Sequence, residues 1–373
     1  MAAGSIRLRF VSQFHELASH PRYLSVLVKL TKPREGAVPE NVIRRVHRRL
    51  HDEMDAAISK RACRDLVTLA VDLGLLEKDM HWADRGHVIN YVSPPLDVMG
   101  KAINETSQNL RKSKRPFRHA TLPLDKKESL AFLKYYFDAD GAFLITFLKR
   151  LGSGVNLSEF LDSRDLESIF MQVAELYLSR VFDITPRLRL RELMRYAEKG
   201  YSRHVRSHKL VPRLEALVDL HILEKKITAS GAIHYEPMDP ALRILLDQFS
   251  DPLTLNITLK KDYFERASKL YGLNTQGKAS SDLLANAILK SYEIVRDETF
   301  RLAYLDAIRD IACLDLLFSH NKLCEWEDVD RTIEELHQES EKDIRYHVND
   351  MGVISYITIT NDFMRKMSHK GRL

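Results

Sequence analysis

The octapeptide VDLGLLEK at Val71–Lys78 returns almost unchanged as VDLHILEK at Val218–Lys225. Each copy closes an amphipathic helix and opens a short strand. Each is followed by a turn holding a glycine, Gly86 in the first copy and Gly231 in the second. The recurrence points to duplication of one small module. A third, weaker copy reads IRYHVNDMGVISYITITND at Ile344–Asp362, with Met351-Gly352-Val353 in the place of Leu73-Gly74-Leu75.

Helix, strand, hairpin tip and strand make up the last half of a winged helix. On these residues the chain resembles the winged-helix superfamily over about half its length. The resemblance implies a mainly α fold with small β-hairpin wings, as tandem winged-helix modules joined by helical segments. Its expected divisions are a first module at 1–95, a linker and helical bridge at 96–180, and a second module at 181–250. A helical connector at 251–296 and an acidic, winged-helix-like third module at 297–373 complete it.

Local patterns fill in these modules. Helices are expected at Pro21–Leu30 and Asn41–Ala57, the second from Ile43, Val46, Leu50 and Met54 at helical spacing. Ser59 is a candidate N-cap for a helix burying Ala62, Leu66, Leu69, Ala70 and Leu73. Val88–Val92 alternates as a strand, and 96–110 reads as helix. The run Lys126–Leu151 reads as a long helix broken near Asp138–Gly141, and Leu157–Arg180 as another helix. Arg187–Lys199 is expected to be a helix and Tyr201–Arg206 a turn. Ser207–Leu220 is then a helix that Pro212 delays or kinks. Thr254–Tyr292 is expected to be helical with an interruption at Gly272–Gly277, followed by helices at Asp297–Phe318 and Glu325–Gln338.

At 373 residues the chain has room for roughly two or three domains. Its 45% hydrophobic content excludes a disordered chain. No run reaches the length of a membrane span, and MAAGSIRLRF lacks the apolar core of a signal peptide. Cys63, Cys313 and Cys324 form no close-spaced framework, as expected of packing thiols in a reducing compartment. A cytoplasmic protein without membrane contact is the expectation.

Charge is distributed unevenly. Nine Lys/Arg face two Glu between Arg187 and Arg213, and nine Asp/Glu face three Lys/Arg between Glu325 and Arg345. Basic and acidic regions of one chain imply different partners for each. A winged helix places its third helix in the major groove and its wing on the adjacent backbone. In the first module the resemblance assigns DNA contact to Lys60, Arg61 and Arg64, supported by Arg44, Arg45, Arg48 and Arg49 on the preceding helix and Arg85 in the wing. In the second it assigns contact to Arg203, Arg206, Lys209 and Arg213, with His204 and His208 interleaved. All are expected to face solvent. The carboxylates of the third module repel phosphate, so a protein partner or self-association is expected there. Arg111, Lys112, Lys114, Arg115 and Arg118 form either a backbone tether or a plain linker.

His47/His51 and His204/His208 lie four apart, yet neither pair has a third ligand at motif spacing, and no metal or cofactor is expected. Walker, GxGxxG, HExxH and GxSxG motifs are absent. The carboxylates of His51–Asp55 and Asp138–Asp140 read as helix surface and loop rather than a nuclease site. The expectation is a non-enzymatic double-stranded-DNA-binding protein. It would be a transcriptional regulator or the DNA-engaging subunit of a prokaryotic DNA-handling or defence complex. A structural adaptor, whose winged helices meet only proteins, is the alternative.

Overall fold

The computed structural model describes residues 20–30, 39–53, 59–73, 75, 77–79, 88–90, 124–152, 154–179, 184–296, 301–348 and 354–369. The chain is mainly helical with small antiparallel sheets. Three groups of elements each contain a helix followed by two antiparallel strands.

The first group holds α1 (Pro21–Leu30), α2 (Pro39–His47), a π-helical turn at Arg48–Glu53, and α3 (Lys60–Asp72). The Ser59 hydroxyl accepts from the Ala62 amide at 3.1 Å, and the expected face from Ala62 to Leu73 is buried. Strands β1 (Glu77–Asp79) and β2 (Val88–Asn90) pair from Glu77↔Asn90 to Asp79↔Val88. The helix expected at Asn41–Ala57 thus changes from α to π geometry at Arg48. Its end at 54–58, the 96–110 helix and the 111–118 run lie outside the described residues.

Next comes α4 (Lys126–Leu151), opened by a capping box between Asp125 and Glu128. The expected break at Asp138–Gly141 is absent. Asp140 is held inside the fold by an ion pair with Arg213, and Gly141 lies against the Leu255 side chain. A Cβ at 141 would overlap the Leu255 side chain. Glycine there serves packing, not helix termination. Apart from Asp138, the helix is buried from Glu128 to Leu148. A helix apolar all round must be covered all round.

The second group is β3 (Val155–Asn156), α5 (Leu157–Asp162), α6 (Asp165–Leu178), α7 (Ile184–Lys199), α8 (Arg203–Asp219), β4 (Leu223–Ile227) and β5 (Ile233–Pro237). The single helix expected at Leu157–Arg180 divides at Ser163-Arg164, where the Ser163 hydroxyl accepts from the Asp165 amide at 3.2 Å. The expected turn at 201–206 is the first turn of α8, capped by Ser202 through the Val205 amide. Pro212 lies inside α8 without ending it. The sheet order is β3-β5-β4, all antiparallel. Gly231 turns the β4–β5 hairpin at φ +81°, a conformation that favours glycine.

The two octapeptides end their helices alike. The Leu75 amide donates to the Ala70 carbonyl at 2.8 Å, and the Ile222 amide to the Leu217 carbonyl at 2.9 Å. His221 takes φ +58° in the second copy, at the position of Gly74 in the first.

The third group follows α9 (Ala241–Gln248), α10 (Leu255–Lys261) and α11 (Tyr263–Leu270). It holds α12 (Ser281–Val295), β6 (Ala303–Tyr304), α13 (Leu305–His320), α14 (Trp326–Glu339), β7 (Ile344–Val348), β8 (Ile354–Ile359) and α15 (Asn361–His369). The sheet order is β6-β8-β7, again antiparallel. The helix expected from Asp297 therefore begins only at Leu305, because Ala303 and Tyr304 pair with Ile357 and Tyr356. The third octapeptide alignment also shifts. Met351-Gly352-Val353 falls between β7 and β8, whereas Leu73–Leu75 joins a helix to a strand. The counterpart of that junction is the Glu339–Ile344 connection.

One continuous hydrophobic cluster runs through all three groups. Helices α6, α9, α10, α11 and α13 pack on α4, and α1 packs on α8. Among the described residues no helix is long and apolar enough to cross a membrane.

Candidate nucleic-acid interface

In the first group the amphipathic pattern sorts the side chains by itself. Val42, Ile43, Val46 and Leu50 are buried, which turns Arg44, Arg45 and Arg48 outward. Burial of Ala62, Cys63 and Leu66 does the same for Lys60, Arg61 and Arg64 on α3. Arg49 is half-buried. Among the described residues, Arg44, Arg45, Arg48, Lys60 and Arg61 form no ion pair, so their charge faces solvent. His47 and His51 stack at 5.1 Å within this surface. Burial pushes the Cys63 thiol up to about 11, which makes it an unreactive packing residue. Arg85 lies outside the described residues.

The second group corrects the expected exposure of its cations. Arg213 is only 6% exposed, and its Nε donates to Asp140 Oδ2 at 2.6 Å. Its guanidinium lies 4.5 Å from the Phe143 ring centroid, and its Nη1 donates to the Lys209 carbonyl. Arg206 grips Glu167 with Nε and Nη2 at 2.9 and 2.8 Å, and also reaches the Leu161 carbonyl. Both arginines face inward because α4 and α6 bring buried carboxylates to α8. Neither is a candidate phosphate ligand any longer.

Lys209 is half-buried, with Nζ 5.3 Å from the Tyr201 ring and 5.7 Å from Phe170. Burial, reinforced by Arg213, lowers its pKa to about 8. Arg203 alone stays exposed, and it is tied to Asp162 at 2.5 Å and to Ser158.

A different basic face exists in this group. Arg189, Arg191 and Arg195 are exposed on α7, beside exposed Ile184, Leu188 and Tyr196. The sequence did count these arginines in the basic run. They fall on the helix expected at Arg187–Lys199, whose outward side is set by its packing on α6.

The third group shows the opposite sign. On α14, Glu327, Glu334, Glu335 and Glu339 are exposed. Trp326, in its first turn, donates from Nε1 to Asp310 at 3.0 Å, and Lys134 donates to the same oxygen at 2.6 Å. Lys134, Arg309 and Lys260 lie 4.9, 5.2 and 5.5 Å from the Trp326 ring centroid. Glu325 accepts from the Phe264 and Glu265 amides at 3.2 and 2.6 Å, so it caps α11 from outside. Burial pushes its carboxyl up to about 8 against those two bonds.

The fold brings Cys313 and Cys324 together although the sequence separates them. Burial and then the Cys324 thiol push the Cys313 pKa up. His204 and His208 face each other with Nε2 atoms 3.1 Å apart. Among the described residues no three His, Cys, Asp or Glu converge as a metal site. Asp140 pairs with Arg213 while Asp138 is exposed, so the Asp138–Asp140 piece presents no carboxylate pair. Comparison with known protein families, characterised proteins and solved structures gave no match to this chain.

Proposed function

We propose that this is a non-enzymatic, duplex-DNA-binding protein of three winged-helix units, in which the first unit holds DNA and the third holds protein. The reading of the units rests on element order. In the third, helix α12, strand β6, helices α13 and α14, and strands β7 and β8 follow one another, with the first strand beside the last. Counted from α4, the second unit repeats that order with α6 and α7 inserted. The DNA reading rests on one observation: on the packed helices α2 and α3 and the π-helical turn between them, Arg44, Arg45, Arg48, Lys60 and Arg61 are exposed and form no ion pair among the described residues. Such a surface suits a regulator or a DNA-engaging subunit in the cytoplasm.

Titration of labelled random duplex at two salt concentrations tests this. Affinity should fall steeply with salt, as each neutralised phosphate releases counterions. Replacing Arg44, Arg45 and Arg48 by Glu should reduce the slope of log K against log salt by about 2–3. Tm should hardly change, because the three are exposed. Absence of binding at low salt would overturn the DNA reading.

The adaptor alternative draws support from the second unit, whose third-helix arginines are engaged inside the fold. Under that reading the Arg44/Arg45/Arg48 variant loses a protein partner and no DNA affinity.

A further inference from the structure

Helix α7 is amphipathic on two sides. Leu190, Leu193 and Ala197 are buried against α6. On the outer side Ile184, Leu188 and Tyr196 are 76, 57 and 50% exposed, on an i,i+4 row that also holds exposed Glu192, whose carboxylate lies 3.9 Å from the Arg195 guanidinium. Arg191 and Arg195 lie on the next row. Apolar anchors beside cations are not what a phosphate backbone requires, since phosphate takes the charge and leaves the leucine in water. A partner for this face needs its own apolar surface rimmed by carboxylates.

The third unit offers that complement. Glu335 and Glu339 stand on one i,i+4 row of α14, with Glu334 alongside. The hairpin beside α14 exposes Val348 and Ile354, at 63 and 47%. Tyr346, two residues before Val348, donates its hydroxyl to Glu334 at 3.1 Å, which fixes the hairpin against the acidic helix. The exposed charges of α7 are mainly basic, with Glu192 and Glu198 among them, and those of α14 mainly acidic, with Arg331 among them, so the prevailing signs are opposite.

We propose that α7 of one copy docks on α14 and the β7–β8 hairpin of a second copy, so that the protein associates head to tail. This deepens the reading of the third unit as a protein-contact surface and rests on it. Because the two surfaces differ, the contact is heterologous: an open chain of copies keeps one unused head at one end and one unused tail at the other. Leu188 and Tyr196 supply apolar burial, while Arg191 and Arg195 meet Glu335 and Glu339.

Sedimentation velocity on the full chain at low salt tests it with two charge-reversed variants. One carries Arg191→Glu and Arg195→Glu, the other Glu335→Arg and Glu339→Arg. The wild type should form dimers and larger species that dissociate with dilution. Each variant alone should be monomeric, and an equimolar mixture should associate again, because every interface in the mixture then joins opposite charges. Leu188→Ser should weaken association of the wild type at least tenfold while leaving its charge unchanged. A monomeric wild type, unimpaired assembly of either variant, or a mixture that stays monomeric would overturn the proposal. Duplex titration of the same variants reads the first unit separately. Normal DNA binding with failed association would refute the docking and leave the DNA reading standing, and the reverse result would do the opposite.

Discussion

The second and third units share a strand order and a helix-to-hairpin succession, yet they treat the charge on their third helices in opposite ways. On α8 the strongest cations turn inward, because Asp140 and Glu167 wait inside on α4 and α6. On α14 the carboxylates of Glu334, Glu335 and Glu339 remain outside. A helix's own residues set which faces are apolar. Whether a charge on the flank points in or out depends on what another element presents to it. The same order of elements therefore presents different surfaces in the two places.

The sharpest way to break this comparison is to remove the inward charge. Arg213→Ala leaves Asp140 buried without its partner and should cost about 3–5 kcal/mol. Urea denaturation measures it. Replacing both residues by apolar side chains of similar size should recover most of the loss. Glu335→Ala on α14 should change stability by less than about 0.5 kcal/mol. Equal losses at the two sites would erase the distinction.

The second test uses pH. The Glu325 carboxyl has its folded pKa raised to about 8 from an ordinary 4.5. A raised pKa means that the protonated form is favoured in the fold. The contribution is complete below about 4.5 and is lost as pH rises through about 8. Stability should therefore slope downward across that window, by a few kcal/mol at most. Glu325→Gln should flatten the slope, because the amide has no proton to lose, while its single oxygen keeps one of the two bonds from Phe264 and Glu265 and lowers stability equally at both pH values. Melts at pH 5 and pH 8 decide it, and an unchanged slope in the variant would refute the assignment.

A small effect is expected at Arg203. Its pair with Asp162 is exposed on both sides, so Arg203→Ala should cost no more than about 1 kcal/mol. Arg206→Ala, at a pair sheltered from water, should cost clearly more. Thermal melts of the two single variants rank them, and the reverse order would show that burial does not separate them.

Much of the local structure could be read from the sequence, and its failures have a common cause. The Ser59 cap, the buried face of α3 and the glycine-turned hairpin at Gly231 follow from neighbours within a few residues. The unbroken course of α4 does not, because Asp140 looks like a helix breaker until Arg213, 73 positions away, is placed beside it. The inward turn of Arg206 depends likewise on Glu167, 39 positions away. Strand β6 is only two residues long, and its partner β8 lies more than fifty residues further on. Within the basic run, the face of α7 needed α6 beneath it before Leu188 and Arg191 could be seen as outward.

Helix α4 has a mechanical consequence. At 26 residues it is a rod of about 39 Å, and α6 and α13 from the later units both rest on it. The first unit reaches the same rod through the Ser25 hydroxyl, which donates to Glu128 at 3.3 Å. Units mounted on one rod cannot swivel as beads on a string do. The α2–α3 surface and the α14 surface therefore stand on one continuous core. Anything gripped at one end is aimed, and not merely tethered, with respect to what is gripped at the other.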